Sequence, residues 1–169
     1  MKRYCAINTY LAEDPSIFTF SIHGRNNFPL RKEQSDLDIA LEDGATDTTY
    51  LTVLYKALPG IFKLAKPDLA IYLAGADPYA GDRFGRIAIS KDGLAERDRI
   101  ILRTCHERRI PVAVTMAGGY ARNIQATVDI HIRTVRAAFQ AARGDYIPEV
   151  PQFTANQSKK VLTALPQRG

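Results

Sequence analysis

The sequence predicts an α/β fold built on a mainly parallel sheet, and three observations carry that prediction. Two short uncharged runs, LAIYLAGA at 69–76 and PVAVTM at 111–116, each end in small residues. Apolar residues recur at helical spacing before, between and after them. The resulting order of strand, helix, strand, helix, strand, helix suits parallel neighbours joined by right-handed crossovers.

A chain of 169 residues is long enough for one domain with a real core. With 46% hydrophobic and 24% charged residues the composition is globular, and no run approaches the roughly 18 apolar residues that span a bilayer. The opening MKRYCAINTY lacks the apolar core of a signal peptide, so a cytoplasmic location is expected. Cys5 and Cys105 are too few and too far apart for a disulfide framework, and Cys105 reads as a small core residue. The net charge of +5 is partly concentrated in Arg97, Arg99, Arg103, Arg108 and Arg109. Glu96, Asp98 and Glu107 interleave with them and no aromatic residue stands beside them, so a solvated, ion-paired helix face is expected in preference to a nucleic-acid partner.

The elements follow in order. Residues 1–9 have no period. A turn at Asp14-Pro15-Ser16 precedes the β-branched and aromatic run 17–22, which His23-Gly24 should end. Residues 24–47 read as a long loop with a short strand at 37–41. Asp47 is expected to cap a helix carrying Tyr50, Leu51, Leu54, Leu58, Ile61, Phe62 and Ala65 on one face, with Pro59-Gly60 kinking or breaking it. The run 69–76 is expected to be a strand buried on both faces. Ser90 should cap a helix with Leu94, Ile101 and Cys105 on one face, which stops before Pro111. After the strand at 111–116, residues 121–143 form a helix in which Ile124, Val128, Val135 and Phe139 make one stripe. His131 lies on that stripe and is expected to be partly buried and hydrogen-bonded. Beyond Gly144 an extended tail is expected, with room for a short helix.

The chemistry gathers where the two apolar runs end. Asp77 falls just past the first, at the rim of an open α/β sheet where ligands bind, although a loop carboxylate capping a turn would read the same way. The same rim should hold Asp82, Arg83 and Arg86, then Gly118, Gly119 and Tyr120, with His23 and Phe28 after the first strand. A carboxylate facing a tyrosine hydroxyl suits metal-assisted hydrolysis, in which the phenol donates to a developing oxyanion. A plain turn would explain the paired glycines equally well. Neither GxGxxG nor GxxxxGK[ST] occurs.

The blocks FTFSIHGRNNFP, SDLDIALEDGATDTTYL, PDLAIYLAGADPYAGDRFGR, ISKDGLAERD and IPVAVTMAGGYARNI resemble the carboxyl-terminal half of the histone deacetylase family, nearest its bacterial and class IV-like members. The likeness runs from about 12 to 142. It implies a three-layer arginase/deacetylase fold, a mainly parallel sheet flanked by helices, over residues 1–143, with 144–169 as an extension. It also implies zinc-dependent removal of acyl groups from lysine or polyamine-type amines. Asp77 would be a zinc ligand and Tyr120 the phenol that polarises the carbonyl. Gly118 and Gly119 would shape the pocket, Phe28 and Phe84 would line the acyl channel, and Ser21 and Ile22 would lie near a structural monovalent cation. In the family a DxHxGNGT block with two further zinc ligands precedes the matching segment, and tandem catalytic histidines lie farther upstream. This chain has MKRYCAINT at the first place and nothing at the second. The resemblance therefore implies a truncated, incomplete and inactive site. Exposed apolar faces should favour a homo-oligomer. The alternative is a non-catalytic dimeric module that binds partners or ligands around Phe28, Phe84 and Tyr120.

Overall fold

The computed structural model of the chain describes residues 14–28 and 31–145. The expectations for residues 1–9, for Cys5 and for the extension past Asp145 lie outside the described residues. Among the described residues four strands and three helices follow one another as β1 (Phe20–Gly24), β2 (Leu37–Leu41), α1 (Asp47–Ala65), β3 (Ala70–Gly75), α2 (Lys91–Glu107), β4 (Val112–Ala117) and α3 (Ile124–Arg143). β1 pairs with β2 and β3 with β4, both in parallel, with Phe20 opposite Leu37 and Ala70 opposite Val112. The architecture is thus α/β with parallel strands, as the element order requires.

The core forms where the amphipathic face of α1 meets its neighbours. Leu54 and Leu58 of α1, Leu41 of β2, Ile89 before α2, Leu94 and Ile100 of α2 and Ile130 of α3 pack together, with Phe20 and Ile22 of β1 against them. α2 lies against β3 through the Tyr72 hydroxyl, which donates to Asp98, and against α3 through the Thr134 hydroxyl, which donates to the same carboxylate at 2.5 Å. Cys105 of α2 is buried as a free thiol.

Several local expectations need correction. β1 starts at Phe20 and runs through His23 and Gly24, because residues 20–24 pair with β2 in continuous register. β3 is not buried on both faces: Ala74 is fully buried, whereas Ile71 and Leu73 are 63% and 47% exposed. Apolar composition shows that a strand can be covered on both sides, not that it is. β4 alternates as far as Thr115, with Ala113 and Thr115 on the exposed side opposite Ile71 and Leu73, and Met116 after them is exposed on the other face.

Asp47 does not cap α1. Thr46 holds the cap position without a side-chain bond, and the Asp47 carboxylate instead accepts from the backbone N–H and hydroxyl of Ser90 at 2.7 and 2.6 Å. Ser90 in turn caps α2 by accepting from the Gly93 N–H at 2.9 Å, as its sequence position predicts. α1 runs uninterrupted through Pro59 and Gly60. Both are exposed, so water can satisfy the carbonyl that the proline leaves without a donor.

The stripe on α3 faces outward. Ile124, Val128, Val135 and Phe139 are exposed, while Ala126, Thr127, Ile130, Thr134 and Ala137 make the buried face. The small residues sit where α2 approaches closely. His131 is partly buried as expected, but its Nδ1 has no hydrogen-bond partner among the described residues.

Candidate functional site

The carboxyl ends of β3 and β4 are tied together by the Ala76 N–H, which donates to the Ala117 carbonyl at 2.9 Å. Asp77 leaves β3 at this point, and the backbone turns through Gly118 and Gly119, whose φ of 57° and 102° lie in the region that glycine adopts without strain. The two chain turns meet around the Asp77 carboxylate. A methyl group on Gly118 would lie 2.3 Å from its Oδ1, one on Gly75 would lie 2.6 Å from it, and one on Gly85 would lie 2.4 Å from the Asp77 carbonyl oxygen. The site is narrow because three positions around it carry no side chain.

Burial raises the Asp77 carboxyl above its ordinary range. Its own backbone N–H and the nearby Arg97 pull it back, and Asp82 adds to the rise. Among the described residues no group of three or more His, Cys, Asp or Glu side chains is arranged to hold a metal ion. One carboxylate does not make the four-coordinate site that zinc takes, so the described donor set does not fit that ion.

Asp82 organises the loop that follows. Its Oδ1 accepts from the N–H groups of Phe84 and Gly85 at 2.8 and 2.9 Å, and its Oδ2 accepts from the Tyr120 N–H at 2.5 Å. The Arg83 backbone N–H and Nε both donate to the Tyr120 carbonyl at 3.2 Å. Tyr120 is therefore clamped from both sides of its peptide unit. Its ring meets Phe84 edge to face, with centroids 5.3 Å apart at 73°, and the Arg83 guanidinium stands 5.8 Å from the Phe84 ring centroid. Both rings are more than half exposed, so the phenol can reach a ligand.

Phe28 is 60% exposed and reaches this region through its neighbour. Asn27 is buried, and its Oδ1 accepts from the Arg86 N–H at 2.7 Å, which joins the loop after β1 to the end of the Asp77 loop. Ser21 and Ile22 lie within β1 opposite Asp38 and Ile39. The Ser21 hydroxyl and His23 Nδ1 are 3.0 Å apart, and no contact among the described residues joins this pair to Asp77. His23 is the penultimate residue of β1, at the carboxyl end of that strand. Burial lowers its pKa, against the pull of Asp38.

The arginine helix contains the largest departure from expectation. Arg103 pairs with Glu107 on the surface and Arg99 with a partly buried Glu96, but Arg97 is only 3% exposed and pairs with Asp98, which is 1% exposed. Arg97 also donates from Nη1 to the Gly75 carbonyl at 2.6 Å. A signal for this was present, because Leu94, Asp98, Ile101 and Cys105 share the helical face that the apolar residues mark as buried.

Residues 6–135 match the family model described as the histone deacetylase domain. The chain is 44% identical over 126 residues to an uncharacterised protein of Picosynechococcus sp., covering 75% of this chain and 42% of that protein. It is 30% identical over 118 residues to histone deacetylase 2 of Arabidopsis thaliana, covering 68% and 30%. Among solved structures it resembles acetylpolyamine aminohydrolase from Burkholderia pseudomallei, with a TM-score of 0.59 and 19% identity over 72% of this chain and 37% of that one. It also resembles the HDA15 HD domain, with a TM-score of 0.61 and 17% identity over 78% and 41%. The two structural likenesses concern the fold alone. The chain spans less than half the length of each of these relatives.

Proposed function

This chain belongs to the histone deacetylase family, and from that membership we propose that it carries part of an acyl-amine hydrolase site, incomplete and inactive in the 169-residue chain by itself. The observation that supports this reading is the juxtaposition of Asp77, walled by Gly75, Gly85 and Gly118, with Tyr120, held across the loop by Asp82. Asp77 supplies a metal donor, and Tyr120 donates its phenolic proton in a hydrogen bond to the carbonyl oxygen of an acylated lysine or polyamine-type amine. Gly118 and Gly119 let the substrate approach the backbone. Phe28 and Phe84 flank the acyl chain, and Ser21 and Ile22 contribute to a monovalent-cation site. Zinc, the family's implied metal, would polarise the carbonyl and activate water if further donors completed its coordination.

The test pairs metal analysis with turnover on the whole chain. After gel filtration with added zinc we expect well under one tightly held zinc per chain, and no Tyr120-dependent cleavage of a fluorogenic acetyl-lysine peptide. One zinc per chain, together with turnover that Tyr120→Phe abolishes, would overturn the inactive reading and show a complete hydrolase. A second reading, a non-catalytic dimeric module, draws on the exposure of Phe28, Phe84 and Tyr120. Acyl-lysine peptide that binds without turnover, and less tightly to Phe84→Ala, would favour it.

A further inference from the structure

The buried Arg97 is not explained by stability alone. Removing an arginine from water costs several kcal/mol, and an apolar pair of similar volume often packs such an interface equally well. What an apolar pair could not supply is a donor to the end of β3. The Ala76 N–H points to β4, where it meets the Ala117 carbonyl. The carbonyl of the same trans peptide, that of Gly75, therefore points away from β4, toward the free edge of the strand. Arg97 Nη1 fills that direction at 2.6 Å.

The guanidinium is itself held rigidly. Its Nε and Nη2 lie 2.9 and 2.8 Å from Asp98 Oδ1. Asp98 also accepts from the Tyr72 hydroxyl of β3 and from the Thr134 hydroxyl of α3. The arginine is thus anchored to the α2–α3 interface and to the strand, and its Nη1 pins one peptide. That peptide follows Gly75, the residue with the greatest backbone freedom in β3, and it comes one residue before Asp77.

We infer that Arg97 is a positioning residue for the Asp77 carboxylate, fixing the Gly75–Ala76 peptide plane one residue before Asp77 enters its glycine-walled recess. The same guanidinium acts electrostatically on Asp77, which fits its placement beside the strand end. The functional meaning of this inference rests on the reading of Asp77 as a metal donor, but its geometry does not, and the experiment reads geometry only.

The experiment is nuclear magnetic resonance on the full chain, comparing wild type with Arg97→Lys. Lysine keeps the charge but cannot hold Asp98 and reach the Gly75 carbonyl with a planar fork. Wild type should show slowly exchanging Arg97 guanidinium protons, a hydrogen-bond coupling to the Gly75 carbonyl carbon, and a single Asp77 χ1 rotamer. In Arg97→Lys the Asp77 couplings should fall to rotamer-averaged values. The Ala76 amide should exchange about tenfold faster, with the amides of α1 changed no more than about twofold. A single Asp77 rotamer retained in Arg97→Lys, with exchange faster throughout the chain, would reduce Arg97 to a structural role and overturn the inference. If Arg97→Lys does not fold, wild type decides: a guanidinium in fast exchange with no coupling to Gly75 overturns it, and an observed coupling with one Asp77 rotamer sustains it. Turnover enters neither measurement, so an unexpected result in the deacetylation assay would bear on the proposed function alone.

Discussion

One carboxylate, Asp82, sets the relation between two aromatic rings that are far apart in sequence. Its three accepted backbone bonds fix Phe84, Gly85 and Tyr120 together. Asp82→Ala should cost about 1–3 kcal/mol in urea denaturation, because three donors lose a charged acceptor at a partly solvated site. It should also abolish the ring-current shift between Phe84 and Tyr120. His23 should give the chain a pH dependence of a stated sign. Burial lowers its pKa in the folded state, so the folded chain binds that proton less readily than the unfolded one. Stability from this source is present above the unfolded histidine value of about 6.5 and falls as the pH drops through it. Wild type measured against His23→Gln from pH 7.5 to 5 should lose stability with acid, and an unchanged difference would contradict the sign. At this scale the sequence makes Asp77 and Tyr120 visible, since each follows an apolar run that ends in small residues. It also places Asp82 at the rim, but hides what Asp82, Asn27 and Arg97 bind, because those partners lie 38, 59 and 22 positions away.

The helix starts contrast in how they are made. Ser90 accepts from Gly93 and donates to Asp47, so its side chain serves the ends of two helices. Thr46 makes no capping bond. Ser90→Ala should therefore cost about 1–2 kcal/mol and Thr46→Ala less than about 0.5 kcal/mol, read as urea midpoints. The existence and order of the helices are legible because periodicity reports a backbone period directly. The facing of an element is less legible. The stripe from Ile124 to Phe139 and the run at 69–76 both look like core, yet α3 turns its small residues inward and β3 leaves Ile71 and Leu73 open. A pattern states which residues share a face, and only the neighbours decide which face is covered.

Those open faces govern the behaviour of the whole molecule. Ile71, Leu73 and Met116 on the strands and Ile124, Val135 and Phe139 on α3 are all exposed among the described residues. Apolar patches of this kind on soluble chains mark association surfaces. Sedimentation velocity should show association that grows with concentration, and the double change Val135→Glu, Phe139→Lys should weaken it if α3 is the contact. A clean monomer at the highest attainable concentration would refute the expectation. No helix among the described residues is long and apolar enough to cross a membrane.

The recess around Asp77 would also leave its mark on a deep mutational scan. Its walls are Gly75, Gly85 and Gly118, so the site is outlined by what the chain omits. Alanine scanning, which usually finds a site by deleting atoms, would find this one by adding them. Three added methyl groups would converge on one residue, those on Gly75 and Gly118 meeting its carboxylate and the one on Gly85 meeting its backbone carbonyl.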